Sequence, residues 1–521
     1  MEQHKNHPPL LTEAFSQWIL RLVPQWRLPF LAALIWGFLA YTFAFTNKLI
    51  NHDEVGQLFA KGATVSSGRW GLGFLDVIFP NVSMPWIYGV FTIFFIAISV
   101  CLILDLFSIR SRMIQILLAG TIVVFPSVIG LFGYMFTSSS YGLSFLLAVL
   151  AVWLICRPCK WAVLPALCCL VASVSIYQSY ISIAASLLVL VLIRMLLVGE
   201  DPLSVLKKGI WYVLFLIFSL GVYYLATQMI LILKDISFNE YATDSLSFTP
   251  AHLLEGIRLS YVNFLRFFYW AHHRLMPTAL SRKLHVLLFA AMAVLLFLWA
   301  RKQNTACGGR FLLLLVLIGI LPLAINCMYL ITAEESIHTL VLYSFIAVYI
   351  FAAILAQLWW EETAAGNLPE LMRRLALDGM ALVLAAIVCI NVYAANTAYL
   401  TLHLRYENAY AFYTSLTAQI RQMPEFREGT KIAVLGDWQS PDFYSENMEF
   451  TYFLVGVKGF MPSDYSAQSF LEYYIGFPAE FVSEEEAAVI RQSSAYQNMS
   501  TYPYYGSVGV IDDTIVVKLS E

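Results

Sequence analysis

The sequence predicts a polytopic membrane protein, mainly α-helical, with one small α/β domain at its C-terminal end. Three observations lead to that class. Of 521 residues, 60% are hydrophobic and 12% charged, more apolar surface than a water-soluble core of this size encloses, so the bilayer must act as solvent. Apolar windows of about twenty residues recur along the chain, each long enough to cross a hydrocarbon core about 30 Å thick. Beyond residue 399 charge, Gly and Pro become more frequent and no further spanning stretch appears.

Taken in order, the windows run over 28–47, 85–107, 113–133, 140–156, 161–178, 180–198, 209–233, 283–300, 311–331, 337–360 and 375–399, about eleven spans in all. The stretch 161–198 is apolar almost throughout, yet Tyr177, Gln178 and Tyr180 interrupt its middle, which predicts two short helices joined by a tight turn. Leu11, Phe15, Trp18, Ile19, Leu22 and Trp26 recur at helical spacing, so residues 1–27 are expected to hold an interfacial helix on the cytoplasmic leaflet, a plain juxtamembrane linker being the alternative. No cleavable signal is expected, because the first apolar run is a full span with no small-residue cleavage site after it.

Orientation follows from the short loops. Arg110, Arg112, Arg157, Lys160, Lys207, Lys208, Arg301, Lys302, Arg310, Arg373 and Arg374 all fall on one side, which the positive-inside rule makes cytoplasmic. The opposite short loops near Thr137–Ser140, Tyr177–Ser179 and Thr332–Ser336 contain neither Lys nor Arg. The N-terminus is then inside and the C-terminal domain outside. All eight cysteines lie in spans or on the cytoplasmic side, so no disulfide is expected in the exported segments. Cys156 and Cys159 make a CxxC spacing, but Pro158 lies between them and no second pair or His is nearby, which argues against a metal or redox role.

The expected division is a transmembrane unit over 28–399, with long outer loops at 48–84 and 234–282, and a separate extracytoplasmic domain over 400–521. In the first loop Val55 to Val65 reads as a short helix; in the second, Leu253 to Trp270 reads as an amphipathic helix along the membrane surface. In the C-terminal domain residues 405–422 look helical, Lys431 to Leu435 forms a strand ended by Gly436-Asp437, Glu484 to Gln492 is helical, and Ser507–Ile511 pairs with Thr514–Leu519 across Asp512-Asp513. A net charge of -3 advertises no nucleic-acid partner.

Chemistry is sought in the outer segments. Asn51-His52-Asp53-Glu54 places two adjacent carboxylates just past the first span, suited to general-base work or metal ligation; the plainer reading has Asp53 capping the following helix. In the same loop Ser67-Gly68-Arg69-Trp70 sets a guanidinium beside an indole at head-group depth, where Arg is the preferred partner of a phosphate and where an interfacial anchor pair would also sit. Further candidate cations are Arg258, Arg266, His272, His273 and Arg274, each of which could equally snorkel toward head groups. Glu334, Glu335 and His338 stand at the outer start of the tenth span and could bind sugar hydroxyls. Tyr177, Gln178 and Tyr180 could do likewise, or the tyrosines could belong to an aromatic belt. The Gly71-Leu72-Gly73 stretch and Asp437 read as structural, with no phosphate-binding loop around them.

These motifs, in this order and topology, resemble the GT-C superfamily of polytopic glycosyltransferases, and most of all the bacterial serotype-converting glucosyltransferase type II (Gtr) family. The resemblance rests on Asp53-Glu54 after the first span, Ser67-Gly68-Arg69-Trp70 in the same loop, Tyr177-Gln178 in the middle, and Lys431 to Gly436 after the final span. It implies a GT-C-like fold in a bacterial inner membrane. It also implies a donor such as undecaprenyl-phosphate glucose, an extracytoplasmic glycan acceptor such as the O-antigen of lipopolysaccharide, and inversion at the anomeric carbon. Neither a cofactor nor a catalytic metal is implied; a flippase and a donor-synthesising glycosyltransferase are implied partners. Asp53 becomes the catalytic base and Arg69 a phosphate or sugar contact, while Glu54 stands where the GT-C motif often has a second aspartate. Two rivals remain: a lipid-linked sugar flippase or transporter, disfavoured because Asp105, Arg194 and Asp378 lie near span ends, and a polysaccharide polymerase or ligase built around segment 234–282.

Overall fold

The structure is a computed structural model that describes residues 11–49, 51–59, 64–76, 78–79, 82–238, 250–269, 279–302, 308–332, 334, 337–360, 368–427, 429–436, 464–477 and 480–520. Among the described residues ten helices are long and apolar enough to cross a membrane, and an eleventh apolar helix, Lys160–Ile176, is shorter. That short helix is the fifth expected span. It stops because Tyr177 turns to an extended conformation (φ -148°, ψ 107°) and Gln178–Tyr180 winds as a 3₁₀ turn before the next span begins.

Helix α1 spans Leu11–Thr46 without interruption at residue 27, Pro24 and Pro29 lying inside it; at 1.5 Å per residue it is about 54 Å long. After α2 (His52–Gly56) and α3 (Trp70–Leu75) comes the second span, α4 (Pro85–Leu106). The expected third span is two helices, α5 (Arg112–Val123) and α6 (Pro126–Leu131). Pro126 has no N–H to give Ile122, and in hydrocarbon the freed carbonyls need donors. Tyrosine hydroxyls supply them at the break, Tyr343 to Ile122 O (3.0 Å) and Tyr41 to Val123 O (2.9 Å), and Tyr399 serves Ile129 O (2.7 Å) where α6 ends.

Helix α7 (Met135–Ile155) begins earlier than the expected 140, so Thr137–Ser140 are not an outer loop but buried helical residues. Ser138 bonds back to Met135 O (2.9 Å), which lets such hydroxyls sit inside a helix. Next come α8 (Val163–Ile176), α9 (Ile181–Leu197), α10 (Pro202–Lys234), α11 (Pro250–Tyr269), α12 (Ala279–Lys302), α13 (Gly308–Ile325) and α14 (Ile346–Trp360). Ser260 and Asn326 bond reciprocally and fix α11 on the turn after α13.

The final helix, α15, runs over Leu368–Arg421 as one piece. It is about 80 Å long, so the helix expected at 405–422 is the continuation of the last span. Its far end enters the C-terminal domain, a four-stranded sheet in the order β2-β1-β4-β3 with β1 (Lys431–Leu435), β2 (Glu480–Phe481), β3 (Val508–Ile511) and β4 (Thr514–Lys518). β1 lies parallel to β2 and β4, and β3 pairs antiparallel with β4. Asp512 and Asp513 both take positive φ (46° and 61°), as a two-residue hairpin turn demands. Around the sheet pack α16 (Asp464–Phe470), α17 (Glu484–Gln492) and α18 (Ser494–Gln497), α17 starting in a Ser483/Glu486 capping box.

Basic residues of the short loops are tied down at one end of the bundle: Arg157 to Asp105, Arg310 to Gly199 O (2.9 Å) and Arg373 to Trp359 O (2.6 Å). The acidic turn and the C-terminal domain lie at the other.

Candidate active site

The acidic turn is held by its own sequence. Asn51 is extended and its side-chain oxygen accepts from Glu54 N (2.8 Å), so the helix starts at His52 and the carboxylates fall in its first turn. Asp53 is therefore not the cap. The helix expected over Val55–Val65 instead spans His52–Gly56, because Gln57 leaves the helical region (φ -103°, ψ 20°); residues 60–63 lie outside the described residues.

The two neighbouring acids have different surroundings. Glu54 is fully buried: its carboxylate pairs with Lys48, accepts from Ser83 Oγ, and accepts from the backbone N–H of Phe136 (3.1 Å) in the first turn of α7. A helix N-terminus favours a negative charge, and three partners offset the cost of burying one. Lys48 also donates to Ser83 (2.7 Å), closing the cluster. Asp53 is only half-buried. A third carboxylate in this loop, Asp76 at the end of α3, stands with Glu54 within electrostatic reach of Tyr88.

The second loop motif is docked on spans distant in sequence. Gln178 Nε2 donates to Ser67 O (2.9 Å) and Tyr223 Oη donates to Gly68 O (3.0 Å). Gly68 sits at φ +74°, and a Cβ there would lie 2.8 Å from the Tyr223 hydroxyl, so conformation and space both require glycine. Arg69 follows, its Nη1 donating to Tyr141 Oη (3.2 Å) and its guanidinium lying 5.5 Å from the centre of the Tyr177 ring, which itself stacks on Tyr141 at 4.3 Å. Trp70 Nε1 donates to Thr227 (3.0 Å). Arg69 and Trp70 are thus set in a cradle of Tyr141, Tyr177, Gln178, Tyr223 and Thr227.

Tyr180 is also brought close but lies deeper, 4% exposed and packed edge-on against Phe145. Tyr177 is equally buried, so neither tyrosine belongs to a lipid-facing belt. Glu334 accepts from Arg266 (3.2 Å) and Asn263 (3.3 Å), an exposed shelf where α11 meets the entry to the tenth span, and His338 stands at the N-cap position of the 3₁₀ turn that follows without a side-chain capping bond. Arg258 is engaged by Glu255 on the exposed face of α11. His272, His273, Arg274 and Glu335 lie outside the described residues, as does Asp437. Among the described residues no three His, Cys, Asp or Glu side chains gather as a metal cage.

Sequence reasoning missed Lys48, Ser83, Asp76, Tyr141, Tyr223 and Thr227. Lys48 carried a signal, since it is a cation at the end of the first span opposite to the side on which the chain gathers its short-loop cations. The span residues carried none.

A family model described as glucosyl transferase GtrII matches residues 42–355. No curated protein and no solved structure matches the chain. The matched stretch takes in the acidic turn, the Arg69 cradle and the Glu334 shelf, and stops short of α15 and the C-terminal domain.

Proposed function

This chain belongs to the GtrII family of glucosyl transferases, and from that premise we propose that it moves glucose from a polyprenyl-phosphate carrier, such as undecaprenyl phosphate, to a glycan outside the cytoplasmic membrane, inverting the anomeric carbon. The acceptor class is a cell-surface polysaccharide such as an O-antigen. The observation that carries the reading is the division of labour in the acidic turn: Glu54 is consumed by Lys48, Ser83 and Phe136 N, while Asp53, one residue before it, keeps exposure.

The chemistry runs as a single displacement. Asp53 takes the proton from the acceptor hydroxyl as that oxygen forms its bond to the sugar's C1. The C1–O bond to phosphate breaks on the opposite face, and the carrier phosphate leaves with the electron pair. A phosphate monoester departs without help from an acid but gains from a fixed cation, the role of Arg69 in its cradle. Glu54 becomes a positioning group, which revises its expected place beside Asp53 in catalysis. Tyr141, Tyr177, Gln178, Tyr223 and Thr227 build the cradle that holds Arg69 and Trp70, Tyr180 backs it from beneath Tyr177, and Glu334 with Arg266 and His338 forms the acceptor shelf. The one-sided Lys and Arg of the short loops support an N-terminus in the cytoplasm and the acidic end outside.

The test is transfer by purified protein from synthetic polyprenyl-phosphate glucose to a glycan acceptor, with a nucleotide-glucose donor alongside. Transfer from the lipid donor alone, with the opposite anomer in the product, is expected. Transfer from the nucleotide sugar, or retention, would overturn the reading.

A further inference from the structure

Among the described residues, the hydrophobic core of the C-terminal domain contains one residue from far outside it. Val55, next to the acid pair, is fully buried and packs in a cluster with Ala409, Phe412, Tyr413, Leu416 and Phe470. Its neighbours follow the same path: Phe59 meets Tyr473 edge to face at 5.4 Å, and a Cβ at Gly56 would stand 4.0 Å from Ser469 Oγ. Tyr474 stacks on Phe470 at 5.2 Å with its hydroxyl buried. Burial first, then the charge of Glu54, pushes that hydroxyl's pKa up, so the hydroxyl lies within electrostatic reach of the acidic turn. A five-residue helix has too few internal hydrogen bonds to hold its own place. One side of it is fixed by Glu54 to α7, and the other by Val55 to the C-terminal domain.

We propose that the C-terminal domain is a permanent clamp on the catalytic turn, with Val55, Phe470 and Tyr474 as positioning residues that hold Asp53 in register with the donor. The proposal rests on reading Asp53 as the base. It gives this domain a part in chemistry although it lies outside the matched family stretch, and it makes the domain stay docked through turnover.

The experiment pairs Gly56→Cys with Ser469→Cys in the full chain, in native membranes under mild oxidation. Each single variant serves as control, and the linked peptides are read by mass spectrometry. Ser469 Oγ, the atom a cysteine sulfur would replace, stands 4.0 Å from the Gly56 Cβ position, so a rotation of the two side chains brings sulfurs within reach of the S–S bond length of about 2.05 Å. The disulfide is expected to form, and the linked enzyme to keep glucosyl transfer within about twofold of its reduced form, since no catalytic group has moved. Absence of the link, or a link that stops transfer until reductant is added, overturns the clamp. A second arm compares Tyr474→Ala with Tyr474→Phe in folded, monodisperse protein. Losing the ring is expected to lower kcat about tenfold or more at unchanged donor KM, misplacement of a catalytic group being costly, while the conservative variant keeps the ring and the rate. Unchanged kcat in Tyr474→Ala, or equal losses in both, overturns the assignment. Asp53→Asn is assayed in parallel: if it keeps its rate, the base assignment fails, while the disulfide still reports on the docking itself.

Discussion

Glu54→Gln is the perturbation whose consequences the structure constrains most. The carboxylate has no exposure and the Lys48 side chain 24%. Ser83 and Phe136 N donate to different carboxylate oxygens, so glutamine keeps an acceptor for only one of them and removes the charge that Lys48 faces. Breaking a buried pair from one side costs about 3–5 kcal/mol, and the access of water to Lys48 lowers that to about 2–3 kcal/mol. Lys48→Met should cost a similar amount, because it leaves the Glu54 charge buried with two neutral donors. The double variant Lys48→Met/Glu54→Gln has no orphaned charge and should be more stable than the two single losses added together, by about 1–2 kcal/mol of coupling. The assay is thermal unfolding of purified protein in detergent, followed by fluorescence-detected size exclusion, with Asp53→Asn as a reference expected near wild type. Strictly additive losses, or a Glu54→Gln protein as stable as wild type, would refute the buried pair as the anchor of the turn.

Further outcomes follow from the same geometry. Arg69→Lys keeps a charge but loses the planar fork that lies against Tyr141 and Tyr177; donor KM should rise about tenfold in steady-state transfer assays, and an unchanged KM would remove Arg69 from the phosphate site. Transfer should persist in excess chelator, because the leaving phosphate is met by side-chain cations; activity that vanishes and returns with Mg²⁺ or Mn²⁺ would reassign Asp53 and Glu54 as metal ligands. The Glu486 carboxyl is held below its ordinary 4.5, chiefly by Lys431. A depressed carboxyl contributes stability above its unfolded pKa and loses it as pH falls through the folded value. Wild type should therefore lose thermal stability below about pH 4.5 more steeply than Glu486→Gln; parallel slopes would contradict this.

Hydropathy and punctuation alone made most of the architecture legible. Most of the spans, the strand at Lys431–Leu435, the capped helix at Glu484 and the hairpin at Asp512-Asp513 depend on local pattern and appear close to where expected, with the third, fourth, fifth and last spans differing in their bounds. What was not legible depends on contacts across the chain. Nothing local separates Asp53 from Glu54; the difference arises because Ser83 and the first turn of α7 close over one of them. Asn51, which reads as an ordinary polar residue after a span, moved the helix start and brought both acids inside it. Thr137–Ser140 read as a loop because hydroxyls are polar, whereas Ser138 spends its donor on the turn below and stays in the membrane. Tyr223 and Thr227 belong to an apolar window and show their purpose only when the Ser67–Trp70 loop lands on them. The role of Val55 as a plug in a domain more than 350 residues later in the chain left no trace in its neighbours.

The most direct test of the central claim is the turnover of Asp53→Asn. The substitution keeps size and much of the hydrogen bonding and removes only the charge. Measured in proteoliposomes with saturating polyprenyl-phosphate glucose and acceptor, the variant should insert normally, bind donor normally and lose about two to four orders of magnitude in kcat, the usual consequence of removing a positioned general base. A variant that retained more than about a tenth of wild-type turnover would contradict the account, since that is far outside the range for such a base.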